Sequence, residues 1–211
     1  MCGISLLARD KRSNPNTACP QYWPSLQKEC ARRGPHHHNK TCIDVGTHAL
    51  HLSTSVLSLR GAGLIHQPLY STDGQLVLAW NGQVYGLDGH RGRSIASCDL
   101  EQAREDLRAG HNDGLVVLSL IEQAIKYHRT ANKVAGAIEA ALGDVTSSLD
   151  AEWALVLVQV SDTFRSALES DRPPYAYLPE HFRRKQERSI LVVTQLEGAL
   201  CFLHLDASLT T

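Results

Sequence analysis

The sequence predicts an α+β protein built on antiparallel sheets. Three observations carry this: apolar strand-like segments near both ends, a pair of helices between them, and an Asn-Gly pair set between two alternating apolar runs. At 211 residues the chain is long enough to bury one sizeable core, and a single core is the default at that length.

Gly3 to Ala8 is a short apolar run and reads as a buried strand, whereas Lys11 to Pro24, with three prolines and two asparagines, reads as a loop. Leu26 and Cys30 fit a helix of about two turns, which Arg33-Gly34-Pro35 would stop. His36-His37-His38 reads as solvated loop, because three adjacent histidines cannot all face one ion on regular structure and no ligand partner follows at metal-site spacing. HALHLSTSVLSL, from His48 to Leu59, is expected to form one strand or two, ending at Arg60-Gly61. In QLVLAWNGQVYGL the pair Asn81-Gly82 is a strong short-range signal for a tight hairpin turn.

Gly86 to Asn112 is polar and reads as an excursion with a small surface helix around residues 100–108. After Asp113-Gly114 comes LVVLSLIEQAIKYH, in which Val117, Leu120, Ile121, Ala124 and Ile125 share one helical face. A second helix is expected from Asn132 to Leu142, then a buried strand from Glu152 to Val160. Two late strands, SILVVTQL and ALCFLHL, follow a polar stretch from Ser161 to Arg188, and there is no internal repeat.

With 43% hydrophobic residues and 21 basic against 22 acidic side chains, net charge −1, nothing implies a nucleic-acid or acidic-membrane partner. The opening MCGISLLARDKR has too short an apolar run, with no basic residue ahead of it, for a signal peptide, and no stretch approaches a membrane span. A cytoplasmic location is therefore expected. The six cysteines, at 2, 19, 30, 42, 98 and 201, show no CxxC pair and no metal-ligand spacing. Neither a metal nor a cofactor is expected, and five of the six read as free structural thiols in a reducing compartment.

Cys2 is the sixth. Once the methionine is removed, its thiol stands beside its own α-amino group, whose reference pKa of about 7.7–8.0 lets it take a proton near neutral pH. A small hydrophobic residue opening a buried strand is the plainer alternative. The carboxamide of Asn81 and the backbone N–H of Gly82 could stabilise an oxyanion in acyl transfer, although the pair also suits a turn that does nothing else. Arg60 could pair with a substrate carboxylate or stand solvated at a strand end. Asp113 could bind an ammonium group, yet it sits where a helix N-cap belongs.

Taken in order, MCGI, RRGP, LRG, QPLY, WNG and a late D-G-x-V-V-L helix resemble the class II glutamine amidotransferases, which are N-terminal-nucleophile hydrolases. Within that class the chain is most similar to the asparagine synthetase domain-containing proteins, on Leu59-Arg60-Gly61, Gln67-Pro68, Trp80-Asn81-Gly82 and Asn112-Asp113. The resemblance runs from Met1 to about Val160, so residues 1–160 would be a type 2 glutamine amidotransferase domain and 161–211 a divergent part completing it. It implies a four-layer αββα sandwich of two antiparallel sheets. It also implies glutamine hydrolysis to glutamate and ammonia through a Cys2 thioester, with no cofactor and with ammonia passed to a separate synthetase or acceptor subunit. Asn81 and Gly82 would form the oxyanion hole, Arg60 would hold the glutamine carboxylate and Asp113 its ammonium.

The chain departs from the family at His36 and Gln83, where acidic residues are common, and neither is a catalytic position. A G-R-D-x-x-G-x-R turn is not found between Ser161 and Thr211, and no nucleotide-binding synthetase domain follows. The expectation is thus a stand-alone amidotransferase domain or a truncated product. The alternative is a non-catalytic regulatory or interaction protein that keeps the fold.

Overall fold

Alternation along one strand organises the first sheet. In the computed structural model, which describes residues 2–10, 22–45, 48–59, 63–87, 99–130, 137–159, 189–196 and 199–206, β1 (Gly3–Asp10), β2 (His37–Val45) and β3 (His48–Val56) are antiparallel in the order β1-β3-β2. Successive side chains of a strand point to opposite faces. On β3, Leu50 and Leu52 therefore enter one apolar cluster, with Ile4 and Leu6 of β1 packed against it. Ser53 and Ser55 point the other way, to α1 (Trp23–Arg33), where the buried Cys30 thiol lies 3.6 Å from the Ser53 carbonyl and 3.7 Å from Ser55 Oγ. One strand, not two, spans this region, and α1 takes in Pro24 at its first turn, where a proline costs nothing because that N–H has no helical partner.

The second sheet has five antiparallel strands in chain order: β4 (Leu69–Tyr70), β5 (Leu76–Leu87), β6 (Leu149–Gln159), β7 (Ser189–Leu196) and β8 (Ala199–Asp206). Both of its faces are buried at the centre. Val77 and Ala79 of β5, with Val156 and Val158 of β6, pack against the first sheet's Ile43, Leu50 and Leu52. Leu78, Trp80 and Val84, with Trp153, Leu155 and Leu157, pack instead against the helices. Those are α2 (Leu100–Arg108), capped by Asp99 whose Oδ1 accepts the Gln102 N–H at 3.0 Å, α3 (Asp113–Thr130) and α4 (Ala137–Ser148). All five α3 residues expected on one face are buried. His128 and Asp144, 2.8 Å apart, tie α3 to α4. The chain is thus α+β, with two antiparallel sheets and four helices among the described residues.

The expected hairpin at Asn81-Gly82 does not form. β5 runs straight through the pair, with Asn81 opposite Ala154 and Gly82 opposite Trp153, and its only irregularity is a bulge between Val84 and Gly86. The local turn signal is overridden because Leu78, Trp80 and Val84 all contribute to one helix-side core, which a reversal at residue 82 would tear apart. Gly82 is required here for close approach, not for left-handed backbone, and the positive φ angles among the described residues belong to Gly74 and Gly110. A Cβ at Gly82 would stand 2.7 Å from the Glu152 carbonyl oxygen and 2.7 Å from Trp153 Cβ. Neither can move without shifting β6, so Gly82→Ala should destabilise the chain by about 1–3 kcal/mol, the usual cost of overpacking. A thermal midpoint equal to wild type would refute this.

Three further expectations are corrected. His37 and His38 open β2 and are not loop, α4 runs to Ser148, six residues past the expected end at Leu142, its expected start falling outside the described residues, and β6 begins at Leu149. The loop expected at 11–24 and the stretch 161–188 fall mainly or wholly outside the described residues. No described helix is long and apolar enough to cross a membrane.

Candidate active site

Cys2 leads directly into β1. Its half-buried Sγ accepts the Leu57 N–H at 3.4 Å and lies 3.8 Å from the Leu57 carbonyl oxygen, just past the end of β3. Cys2 is two residues before Ile4, so it belongs to the face of the first sheet that meets the second. Asn81 is two residues beyond Ala79 and shares its face of β5, which turns toward the first sheet. The thiol and the carboxamide therefore lie on the two sheet faces that oppose each other. Asn81 is half-buried, and its carboxamide has no hydrogen-bond partner among the described residues.

A buried side chain joins these two places. Gln67 is 4% exposed, its carbonyl accepts Thr54 Oγ1–H at 2.8 Å, and its carboxamide both donates to the Trp80 carbonyl and accepts from the Trp80 N–H, each at 2.8 Å. Thr54 is opposite Ile4 on β1, and Trp80 adjoins Asn81. The reason is legible in the local sequence. β4 pairs Leu69 with Leu78, so the next pair outward on this ladder would place residue 67 opposite Trp80, beyond a proline that has no N–H. The Gln67 side chain supplies the donor and acceptor that the backbone cannot. Gln67→Leu would leave two buried backbone groups of Trp80 unpartnered, at about 1–3 kcal/mol each. The thermal midpoint should fall accordingly, and an unchanged midpoint would mean the ladder is held by something else.

Strand geometry then fixes where Gly82 points. In an antiparallel strand the N–H and C=O of alternate residues face the same side. Trp80 faces the Gln67 side, and the Val84 N–H, on that side too, donates to Asp113 Oδ2 at 2.8 Å. The Gly82 N–H lies between them and faces the same edge, which β4 covers only at Val77 and Leu78. The edge at Gly82 is thus bracketed by a carboxamide and a carboxylate.

Asp113 is not the helix cap. Asn112 takes that role, its Oδ1 accepting from Gly114 N–H at 3.1 Å and Leu115 N–H at 3.3 Å. One residue further on, Asp113 is 6% exposed and sends its carboxylate across to β5, where the positive end of α3 favours the charge. Gly114 keeps this helix end against the sheet, since a Cβ there would be 2.9 Å from Leu69 Cδ1 and 3.3 Å from Trp80 Cβ. Arg60 lies outside the described residues. Asn81, Gly82 and Asp113 therefore lie along the middle of β5, while Cys2 lies on the facing sheet, against Leu57.

Sequence reading passed over Gln67 as anything but half of a dipeptide, and the signal was the proline after it. It also missed a second cluster at this end of β3. His36 Nδ1 accepts the Ser58 N–H at 3.0 Å, and His66 Nδ1 is 2.9 Å from His37 Nε2. Desolvation first, then the neighbouring His66 and His38, lower the pKa of His37 below the usual histidine value. A separate cleft of about 250 Å³, lined by Ile65, Asn112, Leu115 and Val116 among others, includes neither Cys2 nor Asn81. Asp106, His111 and Ser119 also line it. Among the described residues no three His, Cys, Asp or Glu side chains are grouped to hold a metal ion. No family model, curated protein or solved structure matches this chain.

Proposed function

We propose that the chain is the glutaminase unit of a class II glutamine amidotransferase, hydrolysing glutamine to glutamate and ammonia with Cys2 as nucleophile. The observation that carries the reading is the brace from Thr54 through Gln67 to Trp80, which fixes the strand of Asn81 and Gly82 against the sheet that Cys2 leads into. The elements packed on one another, α1 on the three-stranded sheet, that sheet on the five-stranded one, and α3 with α4 on its far face, support an αββα sandwich.

In this mechanism the α-amino group of Cys2 takes the thiol proton and the thiolate adds to the side-chain amide carbon of glutamine. The oxyanion so formed is stabilised by the Asn81 carboxamide and the Gly82 N–H. Collapse breaks the C–N bond, and the α-ammonium returns its proton to the departing ammonia. The same amine then takes a proton from water, which hydrolyses the thioester and releases glutamate and the free thiol. Asp113, already aimed at this edge, would face the substrate ammonium, and Arg60 would hold the α-carboxylate, as the resemblance implies. Ammonia would pass to an acceptor on a separate subunit.

The reading requires that Cys2 carry the free α-amine. Glutamate release from glutamine should therefore be measured on full-length protein whose mass shows loss of one methionine. Glutamate formation by that form is the expected result. Its absence, with the methionine removed, would leave the non-catalytic reading in place.

A further inference from the structure

The cluster of histidines at the end of β3 is unused by the glutaminase reading. We infer that His37 and His66 form a two-histidine site for a borderline divalent transition metal such as Ni²⁺ or Zn²⁺. His37 Nε2 and His66 Nδ1 stand 2.9 Å apart, with ring centroids 4.0 Å apart and planes at 71°. An aligned hydrogen bond would need the donor N–H and the acceptor lone pair both to lie along the N···N line. At this centroid spacing the two ring axes cannot both do so, and the contact is an angled one.

The nitrogen spacing also admits a metal, with a small rotation of the rings to aim both lone pairs at it. Zinc–imidazole bonds of about 2.0–2.1 Å, with the nitrogens 2.9 Å apart, give an N–M–N angle of about 90°, the angle between neighbouring octahedral ligands. Opening the pair by a few tenths of an ångström would reach the tetrahedral angle, and imidazole is a preferred ligand of Ni²⁺ and Zn²⁺ alike. Both rings bind as neutral imidazoles: the one whose facing nitrogen carries the proton shifts it to its outer nitrogen through solvent, so no net proton is lost. His66 is exposed, which leaves the remaining coordination positions to water.

The site is placed by sheet register, not by chance exposure. His37 is opposite Val56 on β3 and His66 adjoins Gln67, whose carbonyl is held by Thr54 of the same strand. Neighbouring histidines are otherwise engaged or averted. His36 Nδ1 holds the Ser58 N–H, and His38, opposite Ser55, points to the other face of the sheet. Cys2, on the β1 side of β3, approaches the same end of that strand from the opposite edge.

The test is a calorimetric Ni²⁺ titration of the full chain after removal of metal, with thermal melts run in parallel and no dependence on glutamine turnover. Wild type should bind one equivalent and melt higher with Ni²⁺. His37→Gln and His66→Gln should each weaken binding at least tenfold and lose the thermal shift, while His38→Gln should bind like wild type. His66 is exposed, so its substitution keeps the test readable even if the His37 variant folds poorly. Binding by His66→Gln as tight as wild type would overturn the inference. So would wild-type binding no tighter than that of the doubly substituted chain, or binding lost only in Cys2→Ser, which would place the metal on the thiol.

Discussion

Cys2→Ser should abolish glutamate release and leave the fold in place, its thermal midpoint shifting by no more than a surface substitution would cause, about 0.5 kcal/mol in stability. A serine hydroxyl keeps the shape of the side chain and can still accept the Leu57 N–H that the thiol accepts at 3.4 Å. What it loses is acidity. A thiol with a reference pKa of about 8.5 exchanges its proton readily with an amine of about 7.7–8.0, whereas a hydroxyl does not. The same chemistry makes a second variant informative: one alanine inserted between Met1 and Cys2 keeps the thiol and moves the amine away. Activity should again be lost with the midpoint unchanged. Comparable turnover by the inserted chain would show that the amine is not the base, whatever Cys2 does.

The second large effect is expected at Asn81. Because β5 runs straight through this residue, Asn81→Asp tests no turn and changes a half-buried strand side chain by a single group. Removing one oxyanion donor lowers turnover by about 10²–10³, and a carboxylate facing the oxyanion adds repulsion to that loss. The midpoint should hardly move. Gly82→Ala gives the opposite signature, a lower midpoint from collision with the Glu152 carbonyl and Trp153, so neighbouring substitutions separate chemistry from packing. If Asn81→Asp lowers stability and rate together, Asn81 is a packing residue. If it lowers neither, the oxyanion site lies elsewhere.

How much of this was legible in the sequence depended on whether the decisive partner was near or far along the chain. α2 appears at 100–108 as read, since its cap at Asp99 and its amphipathic face are local. β7 and β8 also fall where their apolar runs placed them. Asn81-Gly82 was misread because its deciding partner, β6, begins more than sixty residues later and no local rule weighs a distant strand against a turn dipeptide. β2 was missed because HHNKTCIDV is polar on an edge strand in which, among the described side chains, only Ile43 is buried, so its alternation is faint. At Asp113 the error was one residue. Asn112 could cap equally well, and only the contact with Val84 shows which of the two the helix uses.

The Gln67 brace also bears on how such a chain can change over time. Between Ser58 and Gln67 the polypeptide crosses from the first sheet to the second, and what sets the alignment at arrival is a side-chain amide locked onto Trp80, not the length of the crossing. Lengthening a connection is entropically cheap, about 0.6 kcal/mol for each doubling. The register of the strand carrying Asn81 and Gly82 is therefore set independently of the length of the crossing between Ser58 and His66. A glutamine ahead of a proline thus insulates the reactive strand from the history of the segment that leads to it.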